Sequence, residues 1–189
     1  ASIFRIHFKD EEGSLLESAK EVKLAIAKIK QLTGSPEVNV VTFSAGSSAA
    51  LAYFVGIWDP ENKQVVEEYA DDIHELILTA PPLQGSPLAR FVIDDLIPDS
   101  DFIQSLNQKL AVLSPDKREQ ITIYSGSSPS ALQHKLFSYV ILGKDDGIIY
   151  FPKFPGGGVK INDVAVGHGG CREDAETLGK IAEFLTDFE

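Results

Sequence analysis

The chain lacks methionine altogether, has one cysteine, Cys171, and has one tryptophan, Trp58. With its thiol alone, it can form no intramolecular disulfide. A chain of 189 residues can instead bury roughly two-thirds to three-quarters of its unfolded surface, so a core needs neither crosslinks nor a structural metal. Cysteine therefore says nothing about redox compartment. Long hydrophobic runs are missing too: the longest apolar stretches, 38–43 and 49–57, fall far short of the roughly 20 residues of a membrane-spanning helix. The first ten residues alternate polar and apolar, unlike a signal peptide. A soluble chain, cytoplasmic or secreted, is expected. Basic residues are scarce, 17 Lys and Arg against 28 Asp and Glu, and the formal net charge of −11 opposes approach to nucleic acid or anionic membranes. Beginning at Ala1 without any methionine, the sequence reads as a processed, cut or truncated product.

What remains is 43% hydrophobic and 24% charged, a globular composition. Ile3 to Phe8 alternates and predicts a strand. Ser14 to Leu32 changes period, with Leu15, Ala19, Val22, Ile26 and Ile29 at helical steps, a Ser14–Glu17 capping box and Gly34 at the C-cap position. Val38 to Phe43 is β-branched almost throughout, the pattern of a strand covered on both faces. It runs directly into Ser44-Ala45-Gly46 and a small, apolar helical stretch over 47–55. A second helix is expected around Gln64 to Ala70. Glu75 to Ala80 reads as a strand stopped by Pro81-Pro82. Further strands are expected at 120–124, 138–142 and 159–166, before a closing helix over 173–188 with Ala175, Leu178, Ile181, Ala182 and Leu185 on one side. Strands and helices alternating at these lengths predict an α/β fold, a mostly parallel sheet with helices on both faces, as one domain over 1–189. Residues 87–113, two short helical stretches interrupted by Pro98, form a candidate lid or cap insertion.

The chemistry concentrates at the turn after the second strand. A serine that attacks a carbonyl has to project from a sharp strand-to-helix turn, exposed beside the positive helix N-terminus, and the turn demands small neighbours. Thr42-Phe43-Ser44-Ala45-Gly46 fits, with glycine two after the serine and threonine where glycine is usual two before. The plainer role for Ser44 is to cap the helix that follows. A hydroxyl also needs a base, normally histidine oriented by a carboxylate. His7 and His74 sit in or beside strands and read as structural, and His134 as solvated. His168 follows the last strand in Gly167-His168-Gly169-Gly170, where flanking glycines permit close approach. Asp146, 22 positions earlier in Asp145-Asp146-Gly147, occupies the slot of the acid. Asp145 is its alternative, Asp163 a distant third, and service to the turn the plain reading of all of them.

Several segments together resemble the α/β-hydrolase lipases and esterases. They are Leu32-Thr33-Gly34 leading to Val38-Asn39-Val40-Val41, the Phe43-Ser44-Ala45-Gly46 elbow, Leu76 to Leu88, Asp95 to Ser100 with Phe102 and Leu106-Asn107, Asp146 to Ile149, and Gly167 to Gly170. The resemblance runs from about Ile3 to Phe188. It implies a Ser44–His168–Asp146 triad acting on a small-molecule ester or lipid through an acyl-enzyme, with the N–H of Ala45 in the oxyanion hole. Phe43, Leu88, Phe91 and Leu96 would line the substrate pocket, or pack the core. The family also has earlier strands and a loop that donates a second N–H to the oxyanion. That loop is not legible here, and a missing N-terminal segment or second chain is expected to supply it. A weak or inactive hydrolase-fold binding module, or a thioesterase on the same triad, remains the alternative. No cofactor and no metal are indicated: there is no Gly-rich phosphate loop with its lysine, and the histidines lack ligand spacing.

Overall fold

Residues 2–10, 13–59, 61–66, 70–91, 93–127 and 152–186 are described in a computed structural model of the chain. The predicted strand at 138–142, His134, Asp145 and Asp146 lie outside them. Helix α1 spans Leu15–Thr33. Ser14 caps it by accepting from the Leu16 N–H, while Asp95, 80 positions away, accepts from the Leu15 N–H at 2.7 Å. Gly34, at φ 73°, supplies the left-handed residue that lets its own N–H close onto Lys30 O. Strand β1 (Val38–Phe43) leads into α2 (Ala45–Phe54). There follow β2 (Trp58–Asp59), β3 (Gln64–Val65), β4 (Ile73–Thr79), 3-10 turns at Ala89–Phe91 and Asp94–Leu96, α3 (Asp101–Ala111), α4 (Pro115–Glu119), β5 (Ile121–Gly126), β6 (Lys160–Val164), α5 (Gly170–Glu173) and α6 (Ala175–Thr186).

Four of the described strands form one parallel sheet in the order β1-β4-β5-β6. Period-two alternation sorts the central strands between two apolar clusters. Leu76 and Leu78 of β4 and Ile121 and Ile123 of β5 pack in the main cluster with residues of α1, α2 and α3. Ile77 and Tyr124 face the other way, into a smaller cluster with Cys171 of α5 and Ile181 of α6. Helices thus cover both faces, as the alternation of elements predicts.

Four local expectations are corrected. Residues 3–8 do not form a strand: Ile3 is 98% exposed, and an alternating segment becomes a strand only where a neighbour completes its ladder, which none of the described strands does. Strand β1 is not covered on both faces. Among the described strands it lies at the sheet edge, and its Asn39 and Val41 are exposed. Gln64 to Ala70 does not open as a helix. Gln64 and Val65 pair antiparallel with Trp58 and Asp59, across a turn in which the Asp59 carboxylate accepts from the Glu61 and Asn62 N–H groups. In α6 the buried residues are Thr177 and Ile181, whereas Leu178 is exposed.

The candidate lid is fastened to the body. Ser86 N–H donates to Leu96 O, Asn107 Nδ2 to Leu83 O, and Lys109 Nζ to the Val55 and Gly56 carbonyls at the C-terminal end of α2. Burial at this last contact lowers the pKa of Lys109.

The second sheet face also holds a buried carboxyl, Glu75, whose Oε2 has no hydrogen-bond partner among the described residues. Burial raises its pKa, against a smaller opposing effect of His74. A carboxyl raised in the folded state favours folding below its unfolded pKa and loses that contribution as pH rises through the folded value. Glu75→Gln is therefore expected to raise Tm at pH 7 by about 2–4 °C, the shift that ~1 kcal/mol gives in a chain of this size, with the gap closing at acid pH. A pH series of calorimetric scans checks this; a difference that does not change with pH rejects it.

Candidate active site

Parallel strands present their C-terminal ends at one edge of the sheet, so the turns after β1 and β6 open on the same side. They are not neighbours there. Strands β4 and β5 intervene, and three spacings of about 4.8 Å put β1 and β6 roughly 14 Å apart. Residues 165–168 leave β6 through a tight turn in which the Val166 N–H donates to Val164 O at 2.8 Å. The two side chains meet: His168 Nε2 lies 2.9 Å from Ser44 Oγ, across 124 positions of sequence.

Ser44 sits at φ 51° and ψ −126°, a left-handed, non-helical conformation that costs a non-glycine residue about 1–3 kcal/mol and is kept only where its surroundings enforce it. Its N–H donates to Thr79 O at 2.9 Å, and its carbonyl accepts from the Ser47 N–H, also at 2.9 Å. The hydroxyl makes no cap bond to α2, so the plain capping role is not the one it plays. Ala45 is the first helical residue, a position whose N–H has no intrahelical acceptor and is free to meet an anion.

His168 is half-buried in the turn that enters α5, where its carbonyl accepts from the Cys171 N–H at 3.3 Å. The flanking glycines differ in what they permit. A Cβ on Gly169 would meet nothing within 4 Å, but one on Gly170 would lie 2.7 Å from Val166 Cβ, closer than real Cβ contacts come. Gly170→Ala is accordingly expected to displace the His168 turn and cost at least about tenfold in turnover, with Gly169→Ala near wild type. Parallel steady-state assays of the two variants, at matched helical content, check this; equal losses reject it.

Phe43, expected to line the substrate, lies against the histidine with ring centroids 5.0 Å apart and planes at 49°, and the Arg172 guanidinium stacks over it at 4.9 Å. Leu96 is 6% exposed and packed in the main core, while Leu88 is half-buried. Phe91 ends a 3-10 turn. Of the other histidines, His7 is exposed and His74 lies 3.4 Å from Glu37. Asp163 is an exposed residue of β6, in register with Ser125. No group of three His, Cys, Asp or Glu among the described residues could hold a metal ion.

Sequence reasoning missed the hydroxyls beneath the turn. Thr42, noticed only as a departure from glycine, has its Oγ1 2.8 Å from Ser47 Oγ and 3.2 Å from Ile77 O. It also missed Arg118, which donates to the carbonyls of Leu110, Ala111, Leu113, Pro155 and Gly157 and so pins the loop that leads to β6. Nothing in the local sequence of either residue marks such contacts.

Neither a family profile nor a curated protein matches the chain. Solved structures do. A lipase of Bacillus licheniformis in mature form superposes with a TM-score of 0.61 at 12% identity, covering 91% of this chain and 74% of its own. A phospholipase of Legionella pneumophila gives 0.60 at 17%, over 78% of this chain and 34% of its own. A protein of Listeria innocua gives 0.56 at 17%, over 94% and 68%. The fold is that of the α/β-hydrolases. This hydrolase fold spans about a third of the length of the Legionella phospholipase. At these identities the likeness concerns architecture. Within it, Ser44 holds the strand-to-helix turn and His168 the turn after the last described strand. No helix among the described residues is long and apolar enough to cross a membrane.

Proposed function

We propose that the chain carries the catalytic residues of a serine hydrolase that cleaves carboxylic esters. The observation that carries this reading is the 2.9 Å approach of His168 Nε2 to the hydroxyl of a serine held in strained backbone at a strand-to-helix turn. His168 takes the proton from Ser44 Oγ as the oxygen attacks the ester carbonyl, then returns it to the departing alkoxide oxygen. The acyl-enzyme is hydrolysed when the same imidazole deprotonates a water that attacks the acyl carbon, releasing the acid and restoring the serine. Asp146 holds the imidazole in its tautomer, and the Ala45 N–H supplies one donor to the oxyanion. A second donor, from an N-terminal segment or a second chain, completes the hole; one such donor is worth about 2.7–4 kcal/mol of transition-state stabilisation. The substrate is a small ester or lipid.

A fluorophosphonate probe tests the reading. The expected result is covalent labelling of one site in the wild-type protein, mapped by peptide mass to Ser44, with none in Ser44→Ala. Absence of labelling in the wild type sinks it and leaves a binding module on a hydrolase fold. That second reading is motivated by Thr42 standing where the elbow usually has glycine. Relative turnover of nitrophenyl esters, thioesters and amides separates esterase from thioesterase.

A further inference from the structure

We infer that the Thr42 hydroxyl is a positioning group for the nucleophile, locking the first turn of α2 to the ends of β1 and β4 so that Ser44 keeps its strained backbone. This rests on the reading of Ser44 as nucleophile. Each hydroxyl has one proton, and two arrangements use both. In one, Thr42 donates to Ile77 O at 3.2 Å and Ser47 Oγ to Thr42 Oγ1 at 2.8 Å; in the other, Thr42 donates to Ser47 Oγ and Ser47 to Thr79 O at 3.4 Å. Either way the 2.8 Å contact with Thr42 is the shorter of the two that Ser47 Oγ makes. Thr79 Oγ1 closes the ring by donating to Thr42 O. Ser47 is fully buried and Thr79 nearly so, which leaves water no easy part in satisfying these groups.

The ring encircles the serine. Thr79 O accepts from the Ser44 N–H, and Ser44 O accepts from the Ser47 N–H, so the strained residue is bonded on both sides to members of the ring. Strain of this kind persists only where its surroundings over-determine it. Glycine at 42 would relax the sterics of the turn but strand the Ser47 hydroxyl with its 3.4 Å acceptor. Threonine is therefore a substitute that does work glycine cannot: it links β1, β4 and α2 at the residue that must not move.

Thr42→Val, which keeps the shape and removes the hydroxyl, is expected to lower kcat about 10- to 100-fold with KM changed less than about threefold, since sub-ångström displacement of a nucleophile falls on the chemical step. Thr42→Ser should recover kcat to within about threefold of wild type. Hydrogen–deuterium exchange gives a readout that needs no turnover: amides of residues 44–48 should exchange faster in Thr42→Val and at the wild-type rate in Thr42→Ser. If Thr42→Val does not fold, Ser47→Ala serves, and is expected to show the same loss and the same faster exchange. Unchanged kcat and exchange in the valine variant, or in Ser47→Ala where valine does not fold, overturns the inference, as does a serine variant no better than valine. An inert wild type whose exchange responds as described would instead overturn the hydrolase reading and leave the lock standing.

Discussion

Ser44→Ala is expected to bring ester turnover down by about 10⁴- to 10⁶-fold, to the level set by binding and oxyanion stabilisation alone. The prediction has a second part that a bystander serine would not meet. If Ser44 and His168 act as one unit through their 2.9 Å contact, His168→Ala should cost nearly as much, and the double variant no more than the worse single. Independent contributors would multiply their losses. Steady-state kinetics on the three variants, each with unchanged circular dichroism, reads this directly. A Ser44→Ala protein with more than about a tenth of wild-type turnover would show that the hydroxyl is not the nucleophile.

The next largest effect is expected at Asp146. Asp146→Asn keeps the shape of the side chain but donates where the carboxylate accepts. It should favour the wrong imidazole tautomer and lower kcat by about 10⁴-fold. Asp145→Asn and Asp163→Asn should stay within about fivefold of wild type, because a carboxylate that serves only a turn or a solvated strand position has no part in the proton transfer. The comparison separates the three carboxylates that the sequence offers as the acid. A large loss at Asp145 with none at Asp146 would move the acid by one residue; a large loss at Asp163 alone would place it on β6.

Local signals in the sequence proved sound where the physics is local. The Ser14 cap, the apolar period of α1 and the Gly34 terminus depend on residues within a few positions of each other, and they stand, although Ser14 accepts from the Leu16 N–H and Glu17 pairs with Lys20 in place of the expected Ser14–Glu17 capping box. The strand-turn-helix around Ser44 was legible for the same reason: a β-branched run, a small residue after the serine and a stretch of small apolar residues each state their preference without outside help. The errors fall where a neighbour decides. Residues 3–8 carry a strand pattern without a partner strand among the described residues, and Gln64-Val65 is drawn into a ladder by Trp58-Asp59. Exposure on β1 went wrong for a related reason, since its composition cannot say whether it lies inside the sheet or at its edge.

By itself, then, the sequence determined α1 and the strand-turn-helix of β1 and α2, the parallel α/β class and the two residues whose side chains meet, because chain order and local punctuation are one-dimensional information. Tertiary structure alone decided that the loop after β6 spans β4 and β5 to bring the His168 imidazole within 2.9 Å of the Ser44 hydroxyl. It also decided that Thr42, an apparent defect in the elbow, bonds to Ser47 and Ile77 beneath it. Contacts between distant positions depend on sheet order, and sheet order is set by which faces bury together, a property that no single segment of the chain contains.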